Sequence, residues 1–154
     1  MRIVTLTLGL VLALLSGSAF AQEFDTPQAL LGSIYDGIES GDYPDDDAVY
    51  SDSIKALLAA DAARTPEGDV GALDFSPFIN GQDDGGLSFE VGEPVIDGDS
   101  AVVTVVIEGG RPQSVVYTLI RQADGWKIDD IVGQEAGVDS WRLSEILAAD
   151  PLLN

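Results

Sequence analysis

The hydrophobic period of this chain changes once, from 3.6 to 2, and that change constrains the fold more than any other feature. Leu30, Leu31, Ile34, Tyr35 and Ile38 recur at helical spacing, and Ile54, Leu57 and Leu58 begin a second such stripe. From Leu87 onward apolar residues alternate instead. Helices first and strands afterwards predict an α+β domain, with the helices packed on one face of a curved antiparallel sheet of three to four long strands.

The punctuation agrees with this order. Thr26 can cap a helix and Pro27 suits its first position, so the spacing predicts a helix over Pro27–Ser40 that stops at Gly41. Asp42 to Asp47 reads as a solvated acidic loop, because calcium loops alternate their ligands rather than stacking three carboxylates. Ser51 or Asp52 caps the next helix, and Arg64-Thr65-Pro66-Glu67-Gly68 breaks it. The stretch Leu73–Gly86 is irregular, with apolar residues predicted to tuck under the sheet. Strands are expected over Leu87–Val91, Ala101–Glu108, Ser114–Gln122 and Trp126–Val132; Pro94–Ile96 leads into a hairpin turn at Asp97-Gly98-Asp99, and further turns fall at Gly109-Gly110 and Asp124-Gly125. Ser114–Gln122 carries apolar residues on both faces and is therefore expected to be central. Ser140 is expected to cap a short terminal helix carrying Leu143, Ile146 and Leu147.

The first residues speak about place. Met1-Arg2 is a short charged start, Ile3–Leu15 is apolar, and Ala19-Phe20-Ala21 has the small-residue pattern of a cleavage site. This is the layout of a secretory signal peptide over residues 1–21, with cleavage between Ala21 and Gln22 and a single domain over 22–154. The apolar run is shorter than the roughly 20 residues a spanning helix needs. The expectation is an exported, periplasmic or secreted protein without membrane anchoring after cleavage.

Composition then narrows the chemistry. The chain has no cysteine, so disulfides, thiol catalysis and Cys-ligated zinc are excluded, and it has no histidine, which removes the usual Ser-His-Asp triads and His-ligated zinc. No metal or cofactor is implied. Acid–base work would fall to Asp, Glu, Tyr or Lys at shifted pKa values. Against 27 acidic residues stand Arg2 and, past residue 21, only Lys55, Arg64, Arg111, Arg121, Lys127 and Arg142. A net charge of −20 repels nucleic acid and anionic lipid and suits a basic protein partner.

The segment Leu73-Asp74-Phe75-Ser76-Pro77-Phe78-Ile79-Asn80-Gly81-Gln82-Asp83 resembles the central signature of the family called domain of unknown function 3828. Val115–Leu119 and Gly125–Ile131 resemble its last two strands. The resemblance runs from about Pro27 to Leu147. It implies a nuclear transport factor 2-like, or cystatin-like, fold and an exported protein, and it carries no established activity. Ser76 stands where that family is expected to carry Asp, and Asp84 where an aromatic is common.

Two groups of residues are candidates for a site. Tyr35, Tyr117, Trp126 and Asp130 could line a pocket between helices and sheet, and Asp74, Gln82 and Asp83 belong to the signature loop. Asp129 and Asp130 alternate in the last long strand. If Trp126 and Ile128 face inward, Asp130 does too, unless a bulge resets the alternation. A buried Asp130 would then need Arg121, Tyr117 or a backbone N–H as its partner. Asn80-x-Gln82-x-Asp84 faintly copies the start of a calcium loop, but Val91 stands where its bidentate Glu belongs. No catalytic set is assigned. The leading expectation is a non-catalytic module that binds a protein partner, such as a basic toxin that it neutralises, or a small apolar ligand. The alternative is a cavity enzyme of isomerase or dehydratase type using Asp and Tyr.

Overall fold

The computed structural model describes residues 23–41, 45–83 and 85–149. The signal peptide expected over 1–21, most of the loop around Pro44, and Asp84 lie outside them.

Helix α1 spans Pro27–Ser40, as its punctuation predicts. The Thr26 hydroxyl accepts the Ala29 N–H at 3.1 Å, Pro27 opens the first turn, and Gly41 closes the helix at φ 76°. Its stripe of Leu30, Leu31 and Ile34 is fully buried.

The acidic stretch is not wholly a loop. Asp46–Val49 forms a single turn, α2, with Asp45 capping it through the Asp47 N–H at 3.1 Å. Adjacent carboxylates are tolerated there because a helix N-terminus favours negative charge. Helix α3 runs Asp52–Arg64 with Ser51 as its cap.

Six strands follow: β1 (Ser88–Val91), β2 (Val95–Asp97), β3 (Ser100–Glu108), β4 (Gln113–Gln122), β5 (Gly125–Glu135) and β6 (Trp141–Arg142). They form one antiparallel sheet in the order β1-β3-β4-β5-β6, with β2 also paired to β3. The three long strands β3, β4 and β5 are the expected ones, and β4 is central. A short helix α4, Leu143–Ala148, ends the described chain.

One face of the sheet is the core floor. Ala101, Val103, Val105 and Ile107 of β3 and Val115, Tyr117 and Leu119 of β4 are buried there beneath α1. Burying a large aliphatic side chain fully stabilises by about 1.5–3 kcal/mol, so this alternation fixes the register: a one-residue slip would expose the whole row. Ile79 of the irregular stretch is buried in the same core, as expected.

The far edge of β5 is covered by chain rather than left open. Trp126 N–H donates to Phe24 O at 2.8 Å, and Ser51 N–H donates to Ile128 O at 2.8 Å. The Lys127 ammonium is buried, donating to Ala48 O at 2.7 Å and pairing with Asp124 at 3.1 Å.

Candidate functional site

A bulge in β5 decides what the site residues can do. Leu119 of β4 pairs with Ile128, and the preceding Thr118 pairs with Asp130, so Asp129 is an extra residue in the strand. The alternation therefore restarts. Ile128 and Ile131 both face the core, and Asp130 stands opposite Thr118, on the other side from the buried Tyr117. The condition placed on the alternation thus applies, and Asp130 does not join the tyrosines.

Both carboxylates at the bulge reach helix N-termini. Asp129 Oδ1 accepts the hydroxyls of Ser51, at 2.8 Å, and of Ser53. Ser51 is at the same time the cap of α3, accepting the Ile54 N–H at 3.3 Å. Asp130 Oδ1 accepts the Ser144 N–H at 3.1 Å, while its Oδ2 takes the Ser144 hydroxyl at 2.9 Å and the Arg142 guanidinium at 2.7 Å. Burial pushes the Asp130 carboxyl up, but the bonds from Arg142, Ser144 and the Ile131 N–H together hold it below its ordinary value. Ser140 does not cap α4; Arg142 occupies that position without a side-chain cap, and Asp130 supplies the acceptor from the neighbouring strand. Asp130's partners are therefore Arg142 and Ser144 rather than Arg121 or Tyr117.

Tyr35 and Tyr117 do meet. Their hydroxyls are 2.7 Å apart, and Tyr35 donates its proton to Phe78 O at 3.0 Å. Tyr117 must then be the donor to Tyr35. Burial pushes both phenols up, so both are neutral at any physiological pH. The rings are perpendicular with centroids 6.5 Å apart, and Phe89 lies 4.7 Å from Tyr35. Every hydrogen-bonding atom of the pair that the geometry requires is satisfied. Indeed, every buried side-chain polar atom among the described residues has a partner.

Trp126 lies away from that pair. Only 3% exposed, it carries the Arg121 guanidinium over its ring at 5.3 Å. Arg121 also donates to Asp25 O at 3.3 Å. Together they line a cleft of about 290 Å³ between the start of α1 and the β2–β3 turn, with Thr26, Ile96 and Asp99. A larger groove of about 460 Å³ lies between the end of α3 and α4, lined by Asp61, Arg64, Val70, Ala72, Ile146 and Ala149. Asp61 is buried at its base, paired with Arg64 at 2.8 Å and accepting the Ala72 N–H at 2.9 Å.

The signature-loop residues build a strap. Ser76 and Gly81 pair through their backbones, and Gln82 donates to Asp74 O at 3.0 Å. Asp83 Oδ1 accepts the Gly85 N–H at 2.8 Å, an Asx turn. The strap is pinned to the sheet by Asn80, which sits at φ 52°. Its Nδ2 donates to Gln113 Oε1 at 2.8 Å, and its Oδ1 accepts the Trp141 indole N–H. Trp141 in turn lies so flat on Gly133 that a Cβ there would overlap the indole. Asn80 and Gln82 are thus engaged within the protein. Among the described residues no group of three or more acidic side chains is placed to hold a metal ion.

Sequence reasoning missed that Asp129 joins Ser51 and Ser53 while Asp130 joins Arg142 and Ser144. The available signal was Asp129-Asp130 standing between Ile128 and Ile131, which puts two polar residues where strict alternation has one. Among the described residues no helix is long and apolar enough to cross a membrane. The chain matches no protein-family description, no curated protein and no solved structure.

Proposed function

We propose that this chain is an exported, non-catalytic interaction module of the nuclear transport factor 2-like class, allied to the domain of unknown function 3828 family, which meets a basic protein partner. Neutralising a basic toxin is one concrete form of that role. The observation that carries the reading is the engagement of the polar groups a reaction would need. Asp130 is bound by Arg142 and Ser144, and the Tyr35 and Tyr117 hydroxyls are bound to each other and to Phe78 O. The cavity-enzyme alternative needs an Asp base and a Tyr donor around one pocket, and after the bulge Asp130 and Tyr117 lie on opposite faces of the sheet. The order of elements, two long helices before a curved antiparallel sheet, supports the fold assignment.

A small apolar ligand is the second reading. The groove between α3 and α4 favours it, since Val70, Ile146 and Ala149 give it an apolar wall in the size range of small-molecule sites.

Native mass spectrometry of the untagged protein, recovered at low salt from the compartment it occupies, separates these readings. A complex with a basic protein supports the interaction module. Extra mass from a small molecule moves the function to the groove. A bare monomer, with the basic fraction of the same extract failing to bind it, overturns the proposal.

A further inference from the structure

The outward face of β2 and β3 carries a row of β-branched side chains that nothing described covers. Val95 stands directly opposite Val102, and Val106 lies further along the same face of β3. They are 74%, 44% and 42% exposed, whereas their inward neighbours Val103 and Val105 are fully buried. Period-two geometry places three carboxylates on this same face: Glu90 pairs with Val106, Asp97 with Ser100, and Glu108 closes β3. None of the three has a basic partner among the described residues. The bases are engaged elsewhere: Lys55 with Asp52, Arg64 with Asp61, Arg111 with Glu135, Lys127 with Asp124, Arg142 with Asp130, and Arg121 on the Trp126 ring.

Resting on the interaction-module reading, we propose that this face docks a basic partner segment that brings apolar side chains onto Val95, Val102 and Val106 and cations onto Glu90, Asp97 and Glu108. An apolar centre within a charged rim is the usual anatomy of a protein interface. Uncompensated carboxylates steer a basic partner and repel an acidic one. A second copy of the chain would bring three carboxylates against three and carries the same net charge of −20. Docking on the face is favoured over strand addition at the edge, because Gly92-Glu93-Pro94 interrupts the β1–β2 edge and a proline or inward charge blocks pairing there.

The test is an amide NMR titration of the full protein with short synthetic peptides. The probe alternates Lys and Val; the controls alternate Lys with Ser and Glu with Val. The Lys–Val peptide should shift the amides of β2 and β3 and bind about tenfold tighter than Lys–Ser, a difference of about 1.4 kcal/mol. Added salt should weaken it. The double variant V102S/V106S should reduce Lys–Val binding to the Lys–Ser level, and E90Q/D97N/E108Q should flatten the salt dependence. All five side chains are exposed, so neither variant threatens the fold. Equal affinity for Lys–Val and Lys–Ser, shifts confined to other acidic surfaces, or a dimer formed through this face would each overturn the assignment. Shifts elsewhere would leave the interaction-module reading standing, which the native complex tests separately.

Discussion

Asp129 and Asp130, neighbours in the sequence, anchor the N-termini of two different helices. The bulge turns one carboxylate to Ser51 and Ser53 at the head of α3, and the other to Ser144 at the head of α4. Asp130→Ala removes the acceptor of two backbone N–H groups, Ile131 and Ser144, a hydroxyl and a guanidinium. It should cost about 1–3 kcal/mol. Asp129→Ala should cost less, about 0.5–1.5 kcal/mol, because Ser51 and Ser53 can still bond each other. Urea denaturation reads both, and hydrogen exchange should show faster opening of α4 in the first variant and of α3 in the second.

Acid should release α4 through the same group. The Asp130 carboxyl is held below the 3.8 of a free one, so its contribution is complete above that value and is lost as pH falls through the lower native value. The stability difference between the native chain and Asp130→Asn, measured across acidic pH, should therefore shrink as pH drops. Asp46 acts with the opposite sign. Burial first, then Asp45 and Asp47, raise it, so its protonation on acidification favours the folded state. Asp46→Asn should make the loss of stability on acidification steeper, without altering the Asp130 difference.

The buried tyrosines give a directional pair of predictions. Tyr117→Phe removes only a donor, since Tyr35 still gives its proton to Phe78 O, and should cost about 0.5–1.5 kcal/mol. Tyr35→Phe strands both the Tyr117 hydroxyl and the Phe78 carbonyl and should cost more, about 1–3 kcal/mol. The reverse order, measured by chemical denaturation, would contradict the assigned proton direction.

Trp126 tests the core from the other end of β5. At 3% exposure its truncation to Ala should cost about 3–5 kcal/mol. A loss below about 1 kcal/mol would mean that the ring serves the cleft beside Arg121 rather than the packing.

Local signals carried most of this fold. Thr26-Pro27 and Gly41 delimit α1 because caps and stops are written in adjacent residues. Asp97-Gly98-Asp99 places the β2–β3 turn for the same reason, with Gly98 at φ 60°. The short turn α2 was hidden because its capping residue, Asp45, looks the same as the acids it caps. The site was least legible. The partners of Asp130 lie at Arg142 and Ser144, and only the bulge determines that it faces them and not Tyr117. A bulge shifts the alternation by one residue while leaving composition and average period almost untouched.

That extra residue also makes the strand tolerant in an unusual way. Ile128, Ile131 and Gly133 oppose Leu119, Tyr117 and Val115 with Asp129 standing outside the ladder. Excising Asp129 would close the two halves of β5 into one uninterrupted strand without moving any side chain across the sheet. The chain could lose a residue within its longest strand and keep its core, surrendering the tether of α3.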